Sequence, residues 1–559
     1  MKRLLYIALL LSTSLYAQEQ KNDSLLNRTV VVEQEYSPLI EDATKINVLP
    51  QVEAPSVENR PVEYSMEVMA TKQFPYEQMN NYTATEQQPM AKPGYFRLSA
   101  GNYGKLDIYG NYLFNLSKRD KLNVQASLNG HNGTFERYNG SGEWDSRFYR
   151  TRAGVEYAHA FNKVTLQAGG HFGLSNFNHL TYTLYETQIK ERQRFTSGDV
   201  QVGIKSNNTS EKYQYDIHTA LLLYQRAHEP IKPIKETIIR TNANFYTPLP
   251  ENNSIVGLNT QINNNFINRY TFKKTKKYTY STIDFNPYYQ AQSDNWELKL
   301  GAIVALGTKF DEEFYLAPDF CFDYTKSKSS SLYIKLTGGR RINDLRHLET
   351  IAPYTQIEAP FKSGFEQLNA AAGYKLRNNL GFYMHLFGGY QMLKNEVIPT
   401  LVRDRTGNLF AQSINYYWEY IQCNLSNYYI GTDLAYHYKQ LLGIEASLTY
   451  RNWETNKSME KLNNHNCILP KFSANIALQL NPILGLKCET GYQYIGYFLD
   501  YTSAIPNQYA NLYVKADYTL SNNIGIYARL NNLLGNTNQQ YVGYFAEKAN
   551  FMGGVTIQF

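Results

Sequence analysis

The sequence is poor in cysteine and has none of the short motifs that mark common enzyme classes. Its four cysteines are scattered, and no CxxC pair or Cys/His group has the spacing of a metal site. There is no HExxH, GxSxG or Walker A sequence. The histidines are isolated, and we interpret His159, His171 and His385 as polar lumen or loop residues. We therefore expect a non-enzyme without catalytic residues, metal ligands or a cofactor.

Long hydrophobic runs are also missing. Beyond the first 17 residues no stretch of about 18 apolar residues occurs, so a transmembrane helix is not expected. Mean hydropathy is −0.48, yet aromatic residues make up 14% of the chain, with 49 tyrosines. Abundant Asn and Gln beside these aromatics favour strands that alternate lipid-facing and lumen-facing residues. The net charge of +6 is small and argues against a nucleic-acid partner.

The first 17 residues have the layout of a secretory signal peptide. Lys2 and Arg3 precede an uncharged apolar run, Leu4–Leu11, and small and polar residues lead to Ala17. The run is too short to cross a bilayer as a helix. We expect export with cleavage after Ala17.

The segment 18–92 differs from the rest of the chain. It is rich in Glu, Gln, Asn and Pro and has little periodicity. Such a composition predicts an extended or disordered segment, here on the periplasmic side.

From Gly94 onward, short runs of alternating apolar and polar residues follow one another, separated by Asn, Gly, Lys, Asp and Ser clusters. These runs predict β-strands with one apolar face. A soluble β-sandwich shows the same alternation, so alternation alone does not identify a barrel. The clearest apolar sets are Leu122, Val124, Ala126 and Leu128; Trp296, Leu298, Leu300, Ala302, Val304 and Leu306; Leu442, Ile444, Ala446, Leu448 and Tyr450; and Leu512, Val514, Ala516, Tyr518 and Leu520.

The lengths of the connections favour a barrel, because short turns alternate with longer loops along the chain. We predict an all-β fold, a transmembrane antiparallel β-barrel of about 22 strands (range about 20–24), over residues 93–559. Pro287 and Pro318 fall inside predicted strands, and two of the loops are long enough to hold a further strand pair, so the number stays open. The predicted turns include 117–120, 161–163, 248–253, 293–295 and 481–482, and the predicted external loops include 227–235, 268–276, 343–363 and 395–428.

Aromatic residues lie near both ends of predicted strands, at the alternate positions whose side chains are expected to face lipid. Tyr112 and Phe114 lie near one inner end, and Tyr492 and Tyr494 near an outer end. This matches the aromatic girdles of membrane barrels.

The last predicted strand, FMGGVTIQF, places alternate residues on one face and ends on an aromatic residue. These residues are Phe551, Gly553, Val555, Ile557 and Phe559. Such an end resembles the signal by which the barrel-assembly machinery recognises its clients. Physically, a strand of this kind offers an edge for β-augmentation.

The residues before that strand resemble the final hairpin of TonB-dependent outer-membrane receptors. The segment NNIGIYARLNNLLGNTNQQYVGYFAEKANFMGGVTIQF has the Asn-Leu-Leu run (Asn532, Leu533, Leu534), then a Tyr/Gly loop, a Gly pair and a closing Phe. The resemblance implies a barrel of this size, embedded in the lipid of the outer membrane of a Gram-negative bacterium. It also implies a role in transport and contact with TonB or another periplasmic or outer-membrane protein.

The N-terminal part departs from that family. The stretch RTVVVEQ, with Thr29, Val30, Val31 and Val32, resembles a TonB box, and an extended β-branched run is suited to pairing with a periplasmic partner. It is equally suited to pairing inside this protein. The family's globular plug domain is larger than residues 18–92, which we interpret as an extended segment or a partial plug. Plugless receptor-like proteins of Bacteroidota carry a segment similar to residues 36–50, YSPLIEDATKINVLP.

A barrel of about 22 strands encloses a lumen that leaks unless it is filled. Residues 18–92, inward-folded loops such as 395–428, or a partner protein are the candidates. The favoured function is transport or uptake across the outer membrane, alone or within a complex. The alternative is a scaffold barrel that anchors a surface or periplasmic assembly.

Overall fold

The computed structural model describes residues 92–559, apart from 137–142, 179–191, 208–211, 229–230, 250–252, 271–274, 356, 358–359, 405–414, 455–464, 468, 498–507 and 542–543. The predicted signal peptide and the TonB-box-like residues Thr29–Val32 lie outside the described residues.

The described chain is built almost entirely from antiparallel strands. The strands are β1 (Gly94–Gly101), β2 (Leu106–Asn115), β3 (Asp120–Glu136), β4 (Glu143–Ala160), β5 (Val164–Asn178), β6 (Arg192–Ser206), β7 (Gln214–His228), β8 (Ile231–Leu249), β9 (Ser254–Tyr270), β10 (Thr275–Gln292), β11 (Trp296–Gly307), β12 (Phe314–Ser327), β13 (Ser330–Arg341), β14 (Gly364–Arg377), β15 (Phe382–Asp404), β16 (Asn415–Tyr438), β17 (Leu442–Glu454), β18 (His465–Cys467), β19 (Pro470–Ile483), β20 (Leu486–Tyr497), β21 (Gln508–Thr519), β22 (Ile524–Asn531), β23 (Gln539–Tyr541), β24 (Tyr544–Phe545) and β25 (Asn550–Gln558).

Twenty-two of these 25 strands form a closed barrel. The short strand β18 pairs only with the outer end of β15, and β23 and β24 pair only with each other, which leaves 22 wall strands. Each wall strand is antiparallel to its neighbours. The first and last strands close the ring, with Leu98 opposite Val555. The predicted barrel and its strand number are confirmed.

The wall is apolar outside. Large apolar side chains of one parity are exposed on the outer surface, among them Val124, Leu300, Ile444 and Tyr518 from the predicted sets. An apolar outer band is what a lipid environment requires of a barrel. Among the residues that the structure describes, no helix is both long and apolar enough to cross a membrane.

The ends of the strands differ from the prediction in several places. The predicted turn 481–482 lies inside β19, and the chain instead reverses at Leu484 and Gly485. Gly485 has φ +83°, a conformation that glycine adopts without the cost that other residues bear. A register shift between Leu480 and Ile483 accommodates the two residues that were predicted to turn. Pro248 likewise belongs to β8, and the turn follows it.

Several predicted external loops are continuations of strands. β7 reaches His228 and β8 begins at Ile231, while β9 and β10 are separated by four residues, so 227–235 and 268–276 are tight outer hairpins. The predicted loop 395–428 is mostly the outer part of β15 and β16, which pair as far as Asp404 and Asn415. Backbone pairing needs no apolar face, so polar strands continue into water beyond the lipid band. Neither 343–363 nor 395–428 adds a strand pair to the wall.

The two prolines lie where pairing is interrupted. Pairing between β10 and β11 skips from Phe285 opposite Val304 to Tyr288 opposite Gly301, which passes over Pro287. On β12, pairing with β13 begins only at Phe320, so Pro318 has no ladder partner on that side. Proline lacks the backbone N–H and is tolerated at such positions.

The outer half of β12 therefore has no ladder pairing with β13. Near this point the β13–β14 connection leaves the wall, and it holds the helix α1 (Leu345–Ile351). Asp344 caps the helix, since its side chain accepts a hydrogen bond of 2.8 Å from the backbone N–H of His347.

The predicted aromatic girdle residues lie on the outward face. The ring of Tyr112 contacts both Phe114 and Phe559, with centroids 4.3 and 5.7 Å away. At the other end of the barrel, the ring of Tyr494 lies 6.1 Å from that of Phe472.

The last strand is paired on both sides in the finished barrel, with β22 and β1. Phe551, Val555, Ile557 and Phe559 are all exposed on its outer face. Their role as an assembly signal stays a prediction.

Candidate functional site: the lumen and the loop that crosses it

The inner face of the wall is polar. Amide side chains on neighbouring strands bond to each other, as where Asn427 donates to Gln391 at 3.0 Å and Asn511 donates to Gln493 at 3.2 Å. Similar bonds join Asn111 to Asn123 and Asn263 to Thr282. A polar inner face suits a water-filled lumen.

Inward-facing tyrosines lie against the wall over glycines. A Cβ atom on Gly373 would meet the ring of Tyr333 at 2.5 Å, so only glycine leaves room for this arrangement. The ammonium groups of Lys335 and Lys375 lie 5.0 and 5.3 Å from the same ring centroid. These cations are thus held close to the wall. The same glycine–tyrosine–cation arrangement recurs at Gly389, Tyr429 and Arg451, and at Gly491, Tyr513 and Lys515.

The predicted histidines divide between the two faces. His171 faces the lumen, with Nδ1 2.7 Å from Asp199 and Nε2 3.3 Å from Glu156. His385 also faces inward and bonds to Asp433. The prediction was wrong for His159, which lies within β4 on the outward face at the short-turn end, 2.6 Å from Asp120. Within the described ranges, no group of three His, Cys, Asp or Glu side chains is arranged to hold a metal ion.

Residues 342–363, here called the crossing loop, span the lumen. On one side, Ser175 on β5 donates a hydrogen bond of 3.0 Å to Glu349 of the loop. On the other, the hydroxyl of Tyr420 on β16 lies 2.7 Å from the backbone carbonyls of Leu348 and Ala352. β5 and β16 are 11 positions apart in a ring of 22, which places them on opposite walls. The loop therefore bridges the lumen.

Ion pairs fix the loop at the depth of the lipid band. Arg346 of the loop lies 3.2 Å from Asp199, which is midway along β6. The next residue, Val200, is exposed on the outer face. Asp344, which caps the same N-terminal end of α1, lies 3.0 Å from Arg240 on β8.

Wall residues also satisfy the backbone of the crossing loop. The carboxylate of Glu236 accepts a 2.8 Å bond from the N–H of Leu345. Arg226 donates to the carbonyls of Pro353, at 2.6 Å, and of Thr355. These hydrogen bonds satisfy backbone groups of the crossing loop that are buried inside the barrel, and they hold the loop in place.

An aromatic cluster covers the crossing loop. Tyr354 stacks on Tyr544 of the β22–β25 connection, with centroids 3.6 Å apart, and meets Phe177 edge-on at 5.0 Å. Leu345 and Leu348 are buried beneath it. The wall strands contribute inward-facing apolar residues at their outer ends: Phe135, Trp144, Phe148, Phe177, Phe195, Tyr224, Ile234, Ile267, Tyr280, Val397 and Tyr420.

The base of the crossing loop is held by Arg340. Its guanidinium donates to Asp284 at 2.9 Å, to the carbonyl of Leu306 at 2.9 Å and to Asp311 at 3.3 Å. Asp311 also accepts a bond from the N–H of Ser363 at the far end of the loop. Burial raises the pKa of Asp311 above its usual value, against the opposite effects of Ser363 and Arg340.

The sequence prediction missed this site, since it left 343–363 as an external loop and proposed 395–428 as the inward one. The latter contributes Val397 and Tyr420 to the aromatic cluster, but it is paired as strand. A signal was present in the aromatic residues of lumen-facing parity, such as Phe177 and Phe195, which break the polar pattern at the outer ends of strands. The capped helix sequence beginning at Asp344 was a second signal.

No family model matches this sequence, and no curated protein matches it. Solved structures match it in fold. The siderophore receptor PirA from Pseudomonas aeruginosa has 11% identity and a TM-score of 0.61, over 85% of this chain and 81% of that one. The FrpB iron transporter from Neisseria meningitidis has 10% identity and a TM-score of 0.65, over 84% and 82%. The copper transporter OprC has 9% identity and a TM-score of 0.61, over 83% and 80%.

Proposed function

We propose that this chain is an outer-membrane transport barrel whose lumen is closed in its outer half by the crossing loop. The observation that carries the proposal is the attachment of one loop to opposite walls of a polar lumen, through Ser175 and Tyr420. The scaffold alternative has no comparable support.

The similar structures support transport as the role. They are a siderophore receptor, an iron transporter and a copper transporter, all built on barrels of this fold. Recognition by loops on a rigid scaffold is the usual arrangement in such proteins. The site in this chain consists of the crossing loop and the lumen wall around it.

Conductance across planar bilayers tests the proposal. The variants are the mature chain, the chain without residues 18–91, the chain with 344–355 replaced by a Gly/Ser linker of equal length, and the combination. We expect the combined variant to conduct far more than the mature chain, because both segments that can fill the lumen are altered. A combined variant that folds but stays sealed would overturn the proposal.

We further propose that residues 18–92 form a short periplasmic segment that couples the barrel to TonB through Thr29–Val32. Val31→Pro removes a backbone donor from that run and should abolish energised uptake while leaving barrel folding intact. Ser24→Pro, in the same segment but outside the run, is the control. Equal uptake in Val31→Pro and the unmodified chain would rule out this coupling.

A further inference from the structure

The carboxylate of Glu349 lies in a pocket that belongs to the wall, not to its own loop. Ser175 and Tyr224 donate hydrogen bonds to its two oxygens, each at 3.0 Å. The guanidinium groups of Arg150 and Arg152 lie 3.7 and 3.8 Å from Oε1. Glu349 is 5% exposed and Arg150 6%. The carboxylate of the crossing loop is thus surrounded by four side chains of the wall.

These four wall side chains have the chemistry of a carboxylate receptor. Two guanidiniums supply charge and planar donors, and two hydroxyls supply one donor for each oxygen. They come from the neighbouring strands β4 and β5 and from β7, which lies beyond β6, with Arg150 and Arg152 on the same face of β4. Their positions are set by the regular wall rather than by the loop.

The pocket also lies on the path that a solute must take. Arg150 is seven residues from the outer end of β4, and its neighbour on β5, Ser175, faces the lumen beneath the aromatic cluster. Under the proposed transport function, a solute entering from outside displaces the crossing loop, and this displacement takes Glu349 out of the pocket. The vacated site then faces the lumen.

We propose that Arg150, Arg152, Ser175 and Tyr224 form a binding site for an anionic solute that carries carboxylate groups, and that Glu349 occupies this site as a tethered competitor. The inference rests on the proposed transport function and names the class of its substrate. An incoming carboxylate displaces Glu349 and stabilises the withdrawn loop. A site occupied by its own tether has a reduced apparent affinity for free ligand.

Glu349→Gln tests the competition. The amide keeps the shape of the side chain and its acceptor oxygen but loses the charge that the arginines bind. Calorimetric titration of the purified full-length protein with citrate, a tricarboxylate, should show binding that is tighter in Glu349→Gln by on the order of tenfold. Sucrose, which is uncharged, should bind neither protein. Unchanged or weaker citrate binding in a folded Glu349→Gln protein would overturn the proposal.

A matched pair of arginine variants locates the site. In the Glu349→Gln background, Arg150→Gln with Arg152→Gln removes the pocket cations, and no buried carboxylate is left unpaired by that change. Arg240→Gln with Asp344→Asn, in the same background, removes another ion pair between wall and loop but leaves the pocket intact. We expect citrate binding to be lost in the first and kept in the second. Equal citrate affinity in both would show that the pocket is not the site.

Failure of this inference and failure of the transport proposal are distinguishable. If citrate does not bind but replacement of the crossing loop opens the barrel, the anion site is wrong and the gated lumen stands. If citrate binds with the expected variant pattern but no variant conducts, the site stands and the transport proposal is wrong. Folding of each variant is checked by the heat-dependent shift of barrels on gels.

Discussion

The short-turn half of the barrel and its outer half follow different rules. In the short-turn half, the wall alternates between apolar outward and polar inward residues, and Tyr333 lies over Gly373 with lysines beside it. In the outer half, inward positions hold Phe177 and Phe195, which pack on the crossing loop instead of facing water. The inner face is therefore a polar lumen wall at one end and part of a hydrophobic core at the other. We therefore expect the stability of the crossing loop to depend on this outer core more than on the short-turn half.

The largest effect is expected from removal of the anchor at the base of the crossing loop. The Arg340 side chain is 1% exposed and bonds to Asp284 and Asp311. Arg340→Ala leaves two buried carboxylates without their partner, which typically costs about 3–5 kcal/mol. We expect proteolysis within the crossing loop while the short-turn half stays folded.

The control for Arg340→Ala is the next residue. Arg341 also forms an ion pair, 3.0 Å from Glu396, but its side chain is 40% exposed. An exposed pair of this kind contributes at most about 1 kcal/mol. Arg341→Ala should therefore leave the loop resistant to protease. Equal sensitivity of the two variants would contradict the role assigned to Arg340.

A second test removes apolar contact from the outer core. Leu348 is fully buried against the aromatic cluster. Leu348→Ala should destabilise the loop by about 2–4 kcal/mol, because a cavity remains where the side chain packed. The measurement is hydrogen exchange of the loop amides, compared with those of β19–β21. Faster exchange in both regions alike would show that the two halves unfold together.

Much of the wall was predictable from the sequence, because strand alternation and turn chemistry are local. The apolar sets on β11, β17 and β21 identified the outward face, and Phe161–Lys163 and Ser293–Asn295 proved to be turns. The crossing loop was not predictable in the same way. Its place depends on contacts such as Ser175 with Glu349 and Tyr420 with Leu348, which join positions 174 and 72 residues apart. No local pattern encodes which wall a loop will reach.

A third test perturbs the short-turn half alone. A Cβ on Gly373 would meet the ring of Tyr333 at 2.5 Å, so Gly373→Ala forces the ring and its lysines off the wall. Overpacking of this kind costs about 1–3 kcal/mol. We expect lower resistance of the whole barrel to urea, with normal protease protection of the crossing loop. Gly198→Ala, whose new Cβ has nothing nearer than 3.9 Å, is the control and should change little.

The smallest effect on stability, and the most informative about assembly, is expected at the closing strand. Phe559 is 51% exposed on the outer face and lies over Gly94 and beside Tyr112. In the finished barrel, Phe559→Ala should lower the stability by only about 1 kcal/mol. Half of the Phe559 ring faces lipid, and the substitution removes only one aromatic contact, that with Tyr112. If the terminal aromatic is read by the assembly machinery before the strand is paired, the yield of folded barrel in cells should fall severalfold although the purified barrel is almost as stable. Phe551→Ala, on the same strand and face but at its outer end and 55% exposed, should lower stability similarly with little loss of yield. Equal yields of the two variants would mean that the exposed face of β25 serves lipid contact alone.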